Sequence, residues 1–343
     1  MKKNAFKIIL FLAILFLSLT GLSYVMRNVS ESKDRFADFY GEEKDSIEVL
    51  MLGTSTVGTS FIAPYMWGKY GFVSYPLSSN SQRPKAMTYL IDEAKKTQDP
   101  SLIVIELRGF TQADEEFAAD EGHIREVVDN MRYSVNRIRT INALTESLPD
   151  RYSYYVDLFK YHSNYGALAR VEEWKKLAFT YDDRYKGFQM YAEQEPYRLG
   201  NAEVTTEDRR KLAQGEEEVL RDLIAYLKEN DLQALFVVTP RDYEEGYEEQ
   251  MNYAGDIVQS EGFQYLDLNY MYEEMGFDYR TDFYDGSHTN AWGAVKCSDV
   301  LGQYITGHYE LKMDYSESVI KEWDHAYDTF MEDFENLEPI LKE

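Results

Sequence analysis

Val49-Leu50-Met51-Leu52-Gly53-Thr54-Ser55 runs from an unbroken aliphatic stretch into a glycine and then two hydroxyl residues. A short continuous apolar run suits a strand buried on both faces, as in a parallel sheet covered by crossover helices. The strand is read over residues 47–52, and Gly53 allows a tight turn that sets Ser55 at its carboxyl end. Similar runs at 72–75, 102–107, 234–238 and 263–268 read as four more strands. Helices fall between them. Pro84 opens one over 84–96, at a position where its missing donor does no harm. Leu220, Leu223, Ile224 and Leu227 recur at i, i+3, i+4 and i+7 and mark another. The last begins near Asn290, a capping residue type, and turns Ala294, Val295, Val300 and Leu301 inward. Strands alternating with helices predict an α/β fold with a parallel sheet.

Ligands of open parallel sheets gather at the carboxyl ends of the strands, where Ser55 falls. Asp285-Gly286-Ser287-His288 precedes the last helix. An Asp three residues before a His can curl back to the far imidazole nitrogen and hold the tautomer that lets the near nitrogen take a serine proton. Ser55, His288 and Asp285 are therefore the candidate nucleophile, general base and orienter. Each also has a plainer reading. Ser55 suits a helix cap, Asp285 and Asp282 suit solvated turns, and His288 suits a loop.

These two segments, in this order, resemble the first and fifth blocks of the SGNH/GDSL hydrolases, and in particular the membrane-anchored DltD-like and alginate-acetylation-like envelope proteins. The resemblance covers residues 47–107 and 234–305. It implies a flavodoxin-like three-layer α/β/α sandwich, a Ser55–His288–Asp285 triad, and work beside a membrane-bound O-acyltransferase. Two departures stand out. Thr54 replaces the Asp of the Gly-Asp-Ser block, and Glu106-Leu107-Arg108-Gly109-Phe110 replaces the Gly-x-Asn-Asp block. Counting along 75–82 puts the backbone oxyanion donor near Ser81, with Asn80 and Arg108 as further candidate donors. One missing donor costs roughly 3 to 4 kcal/mol of transition-state stabilisation.

Residues 8–26 run roughly 19 positions without a charge until Arg27, enough to cross roughly 28 Å of hydrocarbon. Lys2, Lys3 and Lys7 precede the run and favour a cytoplasmic N-terminus, although Arg27, Lys33 and Arg35 follow it. A retained anchor (1–27) with the main domain displayed outside the cell membrane is expected, rather than a cleaved signal peptide, because the run is long and lacks a small-x-small site. A polar stalk (28–43), an α/β domain (44–310) and an acid-rich tail (311–343) follow. The domain contains a helical, Tyr-rich insertion over 111–205, too long for a simple loop. Its aromatics, including Tyr152, Tyr154, Tyr155, Tyr161, Tyr165, Tyr181, Tyr185, Tyr191 and Trp174, suit packing onto the sheet better than stacking on sugars.

A net charge of −25 argues against nucleic acid as a partner, since displacing counterions from phosphates needs a basic surface. Cys297 is the one cysteine, so no internal disulfide can form. His123, His162, His308 and His325 lack metal-ligand spacing, and neither metal nor cofactor is expected. The chemistry expected is acyl transfer at an ester, with a cell-envelope glycan or an acylated small molecule as substrate. The alternatives are a non-catalytic glycan-binding or scaffold module working with an acyltransferase, and a structural membrane-anchored interaction protein.

Overall fold

The computed structural model describes residues 2–111, 120–145, 148–195 and 204–342. Helix α1 (Lys2–Val25) contains the stretch Lys3–Val25, long and apolar enough to cross a membrane, and its residues 3–19 are exposed. Residues 23–27, at the end of this helix and just past it, are buried against the remainder of the protein. Arg27 Nε donates to Asp157 at 2.8 Å, Asn164 Nδ2 donates to the Met26 carbonyl at 3.1 Å, and Lys33 Nζ donates to the Tyr24 carbonyl at 3.1 Å. The polar segment 28–43, read as a stalk, contains helix α2 (Glu31–Phe39), with Phe36 and Phe39 in the main core. Their polar composition conceals this because Lys33, Arg35 and Asp38 are buried among partners.

The main sheet contains β1 (Val49–Leu52), β2 (Ser74–Pro76), β3 (Leu102–Glu106), β5 (Ala234–Val238) and β6 (Gln264–Asp267). All neighbours are parallel, in the order β2-β1-β3-β5-β6. Strands β4 (Glu193–Gln194) and β7 (Ile340–Leu341) pair separately. Each of the five sequence-read strands lies in the main sheet, and the second is displaced to 74–76. The chain leaves β1 toward β2 on one side and returns to β3 on the other, so the crevice opens at the carboxyl ends of β1 and β3.

Helices α3 (Ser55–Ser60) and α4 (Ala63–Tyr70) follow β1. The helix read over 84–96 divides into a tight turn at Pro84–Ala86 and α5 (Met87–Ala94). The insertion folds as α6 (Glu121–Val128), α7 (Val135–Leu144), α8 (Leu148–Tyr155), α9 (Leu158–Tyr161) and α10 (Val171–Leu177). Ile124, Val128, Ile141 and Tyr154 form a small core of its own. Tyr154, Tyr155 and Tyr161 pack within the insertion, where the Arg125 guanidinium lies 4.2 Å from the Tyr154 ring centre and Tyr161 donates to Asp129 at 2.6 Å, whereas Tyr152 and Tyr165 are exposed and Tyr185 packs on Phe330 of the tail.

Helix α11 (Gln214–Glu229) buries Leu220, Leu223, Ile224 and Leu227, as its spacing requires. Then come α12 (Tyr247–Ser260), α13 (Tyr272–Met275), α14 (Ala291–His308) and α15 (Glu317–Glu335). The acid-rich tail is thus mainly a helix, and it packs on α4. Trp323 is fully enclosed there, and its indole N–H donates to Glu42 at 3.3 Å. Gly68 on α4 admits the Tyr327 ring so closely that a Cβ would come within 2.3 Å of it. Trp323→Ala is expected to lower stability by about 3 to 5 kcal/mol through the cavity it leaves, measured by urea denaturation of the detergent-solubilised chain.

Candidate active site

The turn after β1 is closed by a neighbouring strand. Gly53 has φ 156°, and a Cβ there would stand 2.6 Å from Glu106 Cβ and from Val57 Cγ2, so only glycine fits. Glu106 is fully buried at the end of β3 and accepts from the backbone N–H of Thr54 (3.3 Å), the Thr54 hydroxyl (3.2 Å) and the backbone N–H of Arg108 (2.7 Å). Burial pushes its carboxyl above the usual range, against the pull of the Arg108 charge and these hydrogen bonds. Gln82 completes the turn by accepting from Gly53 N–H at 3.0 Å and donating to the Leu77 carbonyl at 3.1 Å. Thr54 occupies the cap position of α3, so Ser55 is the first helical residue and not the cap.

The Ser55 hydroxyl is thereby directed at His288. Oγ lies 2.7 Å from His288 Nε2, and His288 Nδ1 lies 2.9 Å from both carboxylate oxygens of Asp285. Asp285 also accepts from the backbone N–H groups of Ser287 (2.8 Å) and His288 (3.0 Å), so the loop curls round its own carboxylate. Burial alone would raise the Asp285 pKa. The hydrogen bond and charge of His288, together with these two N–H groups, outweigh burial and hold the carboxyl well below the usual range. An acceptor fixed at Nδ1 leaves Nε2 free to take the serine proton.

Buried hydroxyl and amide groups lock the two halves together. Thr289 Oγ1 donates to the Thr59 carbonyl at 2.7 Å, directly joining the histidine loop to α3. Ser298 on α14 accepts from Ile62 N–H at 2.8 Å. Asn290 caps α14 by accepting from Trp292 and Gly293 N–H, while its amide donates to the Thr281 carbonyl at 2.7 Å. The Asp242 N–H donates to the Gly286 carbonyl at 3.0 Å and fixes the loop to the segment after β5. Asp282 is no solvated turn residue, being buried and paired with Lys296 at 2.7 Å.

The remaining candidates lie on loops at the same end of the sheet. Ser81 has φ 50°, a strained left-handed value for a residue with a side chain. The Asn80 backbone N–H donates to Ser32 Oγ at 3.3 Å on α2, leaving its side chain as the group available to a ligand. Arg108 is not ion-paired with Glu106, which binds its backbone instead. Its Nε and Nη1 are buried without a hydrogen-bond partner among the described residues. Tyr191, from the end of the insertion, stacks on Tyr284 beside Asp285 with ring centres 4.1 Å apart.

Sequence reading overlooked three positioning residues. Glu106 carried a visible signal, a carboxylate ending an otherwise aliphatic strand. Gln82 carried none. Arg35 of α2 is fully buried and donates to the carbonyls of Ser78 and Gly187, both at 2.9 Å. A Cβ on Gly58 would lie 2.4 Å from its guanidinium, so this glycine in α3 admits the arginine. Cys297 is buried, which pushes its thiol well up and leaves it inert. Among the described residues, no group of three or more His, Cys, Asp or Glu side chains is arranged to hold a metal ion. No family model and no curated protein matches the chain.

Thr289→Val keeps the shape but strands a buried carbonyl, and is expected to cost about 1 to 3 kcal/mol in urea unfolding. A carboxyl depressed on folding adds stability above its unfolded pKa, near 3.9 for Asp, and loses it as pH falls toward the folded value. The stability gap between wild type and Asp285→Asn should therefore hold steady above about pH 5 and narrow below about pH 4. Unfolding midpoints across that range provide the check.

Proposed function

We propose that the chain is a membrane-anchored, extracytoplasmic serine esterase or O-acyltransferase of the SGNH type, acting on acyl, chiefly acetyl, esters of a cell-envelope glycan. The observation that carries this reading is the relay itself, 2.7 Å from Ser55 to His288 and 2.9 Å from His288 to Asp285, at the switch point of a parallel sheet. The strand order, read as 2-1-3-4-5 within the main sheet, is the flavodoxin-like order and supports the family resemblance.

In the proposed reaction Ser55 Oγ attacks the acyl carbonyl as His288 Nε2 takes its proton, and Asp285 stabilises the imidazolium. The tetrahedral oxyanion is received by the N–H groups of Ser55 and Ser81, with Arg108 as a cationic donor in place of the missing asparagine. The N–H groups of Gly53 and Thr54 are already bonded to Gln82 and Glu106 and take no part. His288 returns the proton to the leaving alcohol, and an acyl-Ser55 ester remains. Water or a glycan hydroxyl, deprotonated by the same imidazole, then takes the acyl group. A membrane O-acyltransferase is the partner this scheme suggests.

Ser55→Ala and His288→Ala should each lower turnover of an activated acetyl ester on the order of 10⁴-fold or more without loss of fold. Ser55→Ala should also abolish labelling by a fluorophosphonate probe. A wild-type protein that neither labels nor turns over ester would be a non-catalytic glycan-binding module instead.

A further inference from the structure

The insertion meets the apolar helix along one face. Helices α9 and α10 and the turn Tyr165–Ala169 between them all pack on α1. Leu177 Cδ2 lies 3.4 Å from where a Cβ on Gly21 would stand. Gly21 belongs to the stretch Lys3–Val25, so α10 reaches alongside that stretch, about 6 Å before its end at the helical rise, rather than beginning beyond it.

The elements that make these contacts, and the residues flanking them, expose large apolar side chains: Phe159 and Val171 at 67%, Tyr165 at 73%, Val156 at 48% and Trp174 at 41%. The Trp174 indole N–H is bonded to the Leu168 carbonyl at 3.0 Å, so its ring needs no water partner. Apolar area left in water forfeits the stabilisation that burial would give it. Aromatic side chains concentrate where a bilayer meets water, because apolar rings and polar edges are both accommodated there.

We propose that this face of the insertion lies in the interfacial layer of the bilayer that α1 spans, so that the domain rests on the membrane instead of hanging from a tether. The inference rests on α1 as a membrane span and is independent of the serine chemistry. Phospholipid is the occupant because the elements that bear these exposed side chains pack on the end of the membrane-spanning stretch itself, at the Gly21–Leu177 contact. The crevice is held close by the same geometry. Ser32, which binds the Asn80 N–H, lies seven residues past Val25, a reach of at most about 25 Å even for a fully extended chain. An acceptor carried on the membrane would be within range.

The test uses the full chain reconstituted in phosphatidylcholine vesicles with or without bromine on the upper acyl chain. Of the four tryptophans, Trp67 and Trp323 are buried and Trp292 lies on α14, so Trp174 reports on the lipid face. Brominated lipid should quench a component of the emission that disappears in Trp174→Phe. Phe159→Glu combined with Val171→Glu, with Trp174 retained, should lose the same component while still floating with the vesicles through α1. Equal fractional quenching in wild type and Trp174→Phe, or quenching undisturbed by the two glutamates, would overturn the proposal. So would a wild-type chain that fails to float. Fluorophosphonate labelling should be unchanged in both variants, which keeps this result separate from that of the nucleophile.

Discussion

A hydroxyl and an imidazole supplied from positions 233 residues apart can share a proton only if the segments carrying them cannot slide. The Thr289 hydroxyl, fully buried and bonded to the Thr59 carbonyl, supplies that restraint at the seam between the histidine loop and α3. Ser298 and Asn290 extend the same seam along α14. Small side chains let the backbones approach: a Cβ on Gly293 would come within 2.2 Å of the Asp282 carbonyl oxygen. Each of these polar groups is satisfied, and in a low-dielectric interior a satisfied network is stiff.

The crevice is braced from behind by charge placed inside an acidic protein. Arg35 reaches from α2 to the loop after β2, to the end of the insertion and to α3, joining three segments that carry or border the site. Lys186 is buried beside Glu42 of the segment after α2, at 3.0 Å, and it also pairs with Glu322 of α15. The Glu42 and Asp38 carboxylates and that of Glu322 hold the Lys186 ammonium firmly charged despite its burial. Removing one partner of such a buried pair leaves an uncompensated charge and costs about 3 to 5 kcal/mol. The excess of acids thus has an internal use: it supplies partners for cations that tie distant segments together.

The Arg108 side chain differs from these braces. It stands at the carboxyl end of β3, beside the turn that positions Ser55, and its Nε and Nη1 have no protein partner among the described residues. Buried donors are normally satisfied. Beside the turn that carries Ser55, these two Arg108 donors are an exception.

The strands were legible in the chain because residues 49–52, 102–105 and 234–238 are apolar throughout, a pattern dictated by burial on both faces. Asp285 and His288 were legible for a related reason, since their contact spans three residues and local geometry suffices to form it. Partners separated by long stretches leave no such mark. Nothing local in Gln82, Arg35 or Thr289 announces the backbone groups they bind, and nothing in the acid-rich tail foretells that Trp323 fills the core beside α4. Residues 28–43 look solvated in sequence because polarity is visible there while the carboxylate or carbonyl that satisfies it is not. Local chemistry could thus set out the strands, the helical stripes and the proton-relay loop. Bringing Ser55 onto His288, and Arg35 and Glu106 behind them, required the folded chain, because hydrogen bonds between distant residues are chosen by packing and carry no periodicity.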